Sequence, residues 1–150
     1  MYFEVIILKY TTFIGTEHEE EVLIYAKEKT SLVIEIERII ESNNKTISAS
    51  NEDEKIVLNP MEVDCFVSDN NKVFAIKDDS KFQVKERIYQ LEEKLKESFI
   101  KINQSCLANI KRIDRFKTSI GGSVIVIFEN GYSDYISRRE LKNVKERLGI

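Results

Sequence analysis

Ser137-Arg138-Arg139-Glu140 is the stretch of this chain whose residue types and spacing best suit binding chemistry. A Ser followed three residues later by Glu is a capping box. The hydroxyl accepts from the amide of Glu140, and the Glu140 carboxylate reaches back to the amide of Ser137. The pattern starts a helix at Ser137 and puts two arginines in its first turn. Positive charge there opposes the helix dipole at about 0.3–1 kcal/mol per charge, so local stability would favour Asp or Glu. A planar guanidinium can grip a phosphate or a guanine edge through two parallel hydrogen bonds, and a helix N-terminus itself attracts anions. The plainer reading is a surface pair balanced by Glu140 and Glu146.

A second stretch ends in amides. Phe99-Ile100-Lys101-Ile102 reads as a short strand, with Asn103 and Gln104 at its exit. An amide presents a paired donor and acceptor that match an adenine edge, although polar residues at strand ends also serve as turn formers. Around both stretches the charge is lopsided. From Lys101 to Arg147 there are ten basic residues (Lys101, Lys111, Arg112, Arg115, Lys117, Arg138, Arg139, Lys142, Lys145, Arg147) and five acids (Asp114, Glu129, Asp134, Glu140, Glu146). The segment is thus +5 in a chain of net −3, which leaves −8 elsewhere. One face for a polyanion follows from that asymmetry.

Catalytic chemistry has little to work with. The single histidine, His18, sits in an acidic run of Glu17, Glu19, Glu20 and Glu21 and reads as a solvated loop. Cys65 and Cys106 are far apart in sequence and form no C-x-x-C pair, so they read as reduced thiols of a cytoplasmic protein. Cys106, inside the second stretch, has two readings, a redox switch and, more commonly, a small buried apolar residue. Neither an enzyme, a metal site nor a cofactor is expected. The longest apolar runs are strand-sized, far short of the roughly 20 residues that span a bilayer, and no membrane insertion is expected.

The elements that must position these residues fall into two parts. Residues 1–46 are acidic and read as a small ββα segment: strands at Tyr2–Leu8 and Val22–Ala26, then a helix capped by Thr30 or Ser31 with an apolar stripe of Leu32, Val33, Ile36, Ile39 and Ile40. Ile47–Glu54 reads as a polar linker with some extended structure. Residues 47–150 then carry short strands at Lys55–Leu58, Val63–Val67, Val73–Lys77 and Phe82–Val84, separated by Asn59-Pro60, Ser68-Asp69-Asn70-Asn71 and Asp78-Asp79-Ser80. Val84, Ile88, Leu91 and Leu95 mark one face of a helix. Ser105–Ile110 reads as a helical turn. Ile113–Lys117 and Val124–Phe128 flank Gly121-Gly122, and Asn130-Gly131 predicts a two-residue hairpin turn into Tyr132–Ile136. A last helix buries Leu141, Val144 and Leu148. The fold class is α+β, mainly β.

Phe99, Lys101, Ser105, Asn109, Ile110, Ile113, Asn130, Gly131, Ser137, Arg138 and Arg139, in this order and spacing, resemble the LytTR family of bacterial DNA-binding domains. The likeness runs from about Lys55 to Gly149. It implies an elongated multi-sheet β domain that binds double-stranded DNA, with loops and a helix start entering successive major grooves. Carried over by position, Lys72, Gln104 and Arg139 would contact bases. Asn71, Lys101, Ser105, Ser137 and Arg138 would contact the backbone, and Asn109 would buttress a loop. One departure stands out: the family's usual His-Arg pair is Asn103-Gln104 here, which removes a charge and favours adenine over guanine. The leading segment is too short for a receiver domain, so the chain looks like a stand-alone regulator that forms a homodimer, with a regulatory protein partner as one form of control. The alternative is a protein-interaction module whose basic face meets an acidic partner.

Overall fold

The computed structural model describes residues 22–43, 45–52 and 54–150. Among them are ten strands in two antiparallel sheets. The larger sheet is built from β1 (Ile47–Ser50), β2 (Lys55–Leu58), β3 (Cys65–Asp69), β4 (Lys72–Lys77), β5 (Ser80–Val84), β6 (Phe99–Asn103) and β7 (Cys106–Asn109), in the order β2-β1-β5-β4-β3-β7-β6. The smaller one has the order β10-β9-β8, from β8 (Ile113–Thr118), β9 (Val124–Phe128) and β10 (Ser133–Tyr135). Three helices accompany them: α1 (Ser31–Asn43), α2 (Ile88–Lys94) and α3 (Arg138–Leu148). The expected mainly β class is the observed one.

The central strands are apolar on both sides because both faces of the large sheet are covered. On one face Phe66, Val73, Ala75, Phe99 and Leu107 pack beneath Ile88, Leu91 and Leu95 of α2 and its end. The Phe66 and Phe99 rings lie 5.3 Å apart in a tilted pair. On the other face Cys65, Val67, Ile100, Ile102, Cys106 and Ala108 meet Val126 and Phe128 of the small sheet, Ile136, and Val144 of α3. The small sheet and α3 are therefore fixed to the strands that lead into the Asn103-Gln104 turn.

Several local expectations change. Ser105–Ile110 is not helical: Cys106–Asn109 is β7, wholly buried between β3 and β6, and only Ile110–Arg112 winds into a 3-10 turn. Ile47–Glu54 is not simply a linker, since β1 pairs with β2 and β5 and buries Ile47 and Ala49. Val22–Ala26 forms no strand, while Tyr2–Leu8 and His18 lie outside the described residues. Val84 belongs to β5, and the helix begins at Ile88. The Asn130-Gly131 turn is longer than two residues. Gly131 alone has positive φ (85°), its amide bonds to Phe128 O at 2.9 Å, and the Phe128 amide bonds to Tyr132 O at 2.9 Å. That is a three-residue loop closed by a glycine in the left-handed region.

Candidate nucleic-acid interface

The first turn joins β3 to β4. Asp69 pairs with Lys72, so the loop between them is Asn70-Asn71, with φ of 49° and 62°. A two-residue hairpin that follows strand twist needs both central residues left-handed, and Asn tolerates this better than most side chains. Arg87 fixes the turn from outside: its Nη1 donates to Asn71 O at 2.7 Å. Asn71 and Lys72 are exposed.

The second turn joins β6 to β7. Asn103 faces inward here, which corrects its reading as part of an amide pair at the surface. It is 2% exposed, its Oδ1 accepts from the Ser105 amide at 2.8 Å, and its Nδ2 donates to Tyr135 O at 2.9 Å. The Ser105 carbonyl in turn accepts from the Ser68 amide at 2.7 Å. With both flanks held, Gln104 and Ser105 are left as an exposed tip. Lys101 lies further down β6, half-buried, with Nζ 3.7 Å from Glu92 Oε2.

The third place is the start of α3. Ser137 Oγ accepts from the Glu140 amide at 3.4 Å, as a cap should. The reciprocal half of the expected capping box is replaced, because the Ser137 amide donates to Ile102 O at 2.8 Å. That bond ties the helix start to the strand that leads into the second turn. Arg138 and Arg139 follow, both exposed, and neither has an ion pair among the described residues.

Topology brings these three places to one end. β3 runs towards Asn70, β7 runs away from that end with Cys106 beside Val67, and β6 therefore arrives there at Asn103. α3 starts beside Ile102 and returns along β6, so that Arg147 Nη1 donates to Phe99 O at 2.9 Å at the far end. Lys72, Gln104, Ser105, Ser137, Arg138 and Arg139 thus share an end, and Lys101 sits below it. Lys85 and Arg87, just past β5, are exposed at the same end. The sequence reading passed over both; their signal was a basic pair at a strand-to-helix junction whose preceding strand pairs with the β4 start.

Two further residues of this stretch are buried, and Asn109 stands at the far end of β7 beside Phe99, where it holds the segment before β3 and neither turn of the interface. Asn109 is fully buried, donates from Nδ2 to Val63 O at 2.8 Å and accepts from the Lys111 amide at 3.1 Å. Cys106 is fully buried, and a hydrogen bond with Cys65 together with burial pushes its thiol pKa well up. It packs as a protonated, small apolar side chain. Burial also pushes Tyr132 up to about 12.

An antiparallel scaffold that lifts two turns and an arginine-bearing helix start to one end, with no helix-turn-helix pair among the described residues, defines a class of β-built binding domain. The LytTr DNA-binding domain family matches residues 53–149, and this chain belongs to that family. Uncharacterised HTH-type transcriptional regulators of Staphylococcus aureus are similar in sequence. The one from strain NCTC 8325 is 35% identical over 94 residues, 63% of this chain and 64% of its own length. The one from bovine strain RF122 is 37% identical over 81 residues, 54% and 55% of the two chains. The match therefore spans less than two thirds of these relatives. A LytTr DNA-binding domain of known structure from Bacillus cereus superposes with a TM-score of 0.66 at 18% identity, covering 71% of this chain and 99% of that one, and shares its fold. No helix among the described residues is long and apolar enough to cross a membrane.

Proposed function

We propose that this chain is a cytoplasmic transcriptional regulator that binds double-stranded DNA sequence-specifically, presenting its two turns and the α3 N-terminus to successive major grooves. The observation that carries this reading is the shared end: three sequence-distant basic or amide tips held beside one another by main-chain bonds from the Ser68 and Ser137 amides and by the side chain of Asn103. Lys72, Gln104 and Arg139 act on base edges; Asn71, Ser105, Ser137 and Arg138 act on phosphates, with Lys101 a more distant contributor. Arg138 and Arg139 sit where the helix dipole disfavours cations, which is reasonable for groups that meet an anion. Residues 1–46 are read as a separate acidic segment that pairs two copies, in keeping with the exposed Leu32 on α1.

Binding selection from a random duplex pool tests this. The parent enriches a motif, and Arg139→Ala loses or relaxes one position of it at a cost of about 1–3 kcal/mol. Gln104→Arg moves the preferred base at its own position from adenine towards guanine. If no motif emerges and both proteins hold DNA equally and weakly, the basic end serves a different, acidic partner.

A further inference from the structure

The β8–β9 hairpin belongs to none of the three places, yet it rises at the same end. Thr118 and Val124 are the last pair before the turn, and the Ile136 amide bonds to Val124 O at 2.8 Å. The next residue, Ser137, is the α3 cap. That last pair is therefore level with the start of α3, and the tip at residues 119–123 projects beyond it.

This tip is an ordered turn. The Ser119 amide bonds to Ser123 O at 2.8 Å, the Gly122 amide to Ser119 O at 2.9 Å, and the Ser123 amide to Ser119 Oγ at 3.2 Å. These bonds put Ile120 at the apex, fully exposed. A Cβ added at Gly121 or Gly122 would meet nothing within 4 Å. Gly122 needs its residue type for its φ of 79°; Gly121 has no such need and leaves bare backbone at the surface. Lys117 and Thr118 below the tip are exposed, and Lys117 has no ion pair among the described residues. A single exposed aliphatic side chain is unremarkable by itself. What distinguishes this one is its place: the apex of a pinned turn, above a free lysine, next to a helix start that carries two free arginines.

We propose that the β8–β9 hairpin is a further DNA-contacting element, which grips the sugar-phosphate backbone flanking the base pairs met by Arg139. Lys117 holds a phosphate. Ile120 lies against the apolar edge of the deoxyribose, and Gly121 lets the backbone come close. The inference rests on the reading of the chain as a duplex binder; its distinct content is a contact that adds affinity and no base preference.

The test uses the full chain, the duplex motif enriched by the parent, and two duplex lengths: the motif alone, and the motif with ten random base pairs on each side. Lys117→Gln, Ile120→Ser and Gly121→Val are compared with the parent. All three positions are exposed or open, and circular dichroism melting confirms that each variant is folded. On the long duplex each is expected to bind about 3- to 10-fold more weakly with an unchanged motif, and Lys117→Gln should lower the salt slope by about 0.9. On the short duplex the differences shrink. Equal binding by parent and variants at both lengths overturns the hairpin contact while leaving the motif reading intact. A variant that changes the preferred bases overturns the backbone assignment. A parent that enriches no motif overturns both readings together.

Discussion

The two ends of the large sheet use arginine in opposite ways. At one, Arg138 and Arg139 are exposed and unpaired among the described residues. At the other, Arg112 is surrounded: Nε lies 3.2 Å from Asp64 Oδ1, Nη1 3.2 Å from Glu129 Oε2, and Nη2 3.8 Å from Asp78 Oδ1. Asp64 precedes β3, Asp78 turns β4 into β5, Glu129 turns β9 towards β10, and Arg112 precedes β8. One guanidinium thus joins loops of both sheets, and Asn130 Nδ2 adds a 2.8 Å bond to Asp78 O. Charge that is matched and partly buried holds sheets together; charge left unmatched at the opposite end is available to a ligand. A count of basic residues along the sequence cannot separate these uses.

The largest effect should come from breaking the matched end. Asp64 is fully buried, and its Oδ2 has no hydrogen-bond partner. Arg112→Ala leaves that carboxylate without its cation and should cost about 3–5 kcal/mol in urea unfolding, because an uncompensated buried charge is the costly outcome. Adding Asp64→Asn should recover part of the loss. Arg139→Ala should shift unfolding by no more than about 0.5 kcal/mol, as exposed sites generally do. If the two arginine variants unfold alike, the contrast between the ends is wrong.

Asn103 stands between these extremes, since it is structural but located at the end proposed to meet DNA. Asn103→Ala leaves the Ser105 amide and Tyr135 carbonyl without their partner and should cost about 1–3 kcal/mol of stability. It should also weaken DNA binding, because Gln104 loses its support. A stability loss with unchanged binding would show that the second turn keeps its shape without Asn103.

How far the sequence could show this differs from element to element. The β3–β4 turn and the α3 start were legible because Asn-Asn and Ser-Arg-Arg-Glu encode their own backbone geometry. β7 was misread because Cys-Leu-Ala-Asn lacks β-branched residues, and its strand form comes from burial between two neighbours. The inward turn of Asn103 was hidden for another reason. Pairing shifts register between Lys101 and Asn103, so Ile102 and Asn103 are both buried in succession and simple alternation fails. Lys101, Arg112 and Arg147 counted towards a basic face, yet Lys101 pairs with Glu92, Arg112 with three acids, and Arg147 with the carbonyls of Phe99 and Lys96. The long-range partners that absorb those charges are not local in sequence.

The smallest effect is a pH dependence that runs in opposite directions for two acids near the matched end. Burial raises the folded pKa of Asp64 above its ordinary 3.8, and this outweighs the lowering by Arg112. A raised acid binds its proton more tightly in the folded state than in the unfolded one. Its contribution to stability therefore grows as pH falls through the raised value and declines as pH rises through the same window. Glu62 is the reverse: Lys77, whose Nζ donates to Glu62 Oε2 at 2.5 Å, lowers its pKa below 4.5. Its stabilisation is present above that value and disappears as pH falls through the lowered one. Urea unfolding across the acidic range should thus show the parent gaining on Asp64→Asn as pH falls, and losing its margin over Glu62→Gln. A parent that also loses ground to Asp64→Asn in acid would mean that Arg112 wins at Asp64, and the buried carboxylate would then be an ordinary ion-pair partner with no desolvation penalty left over.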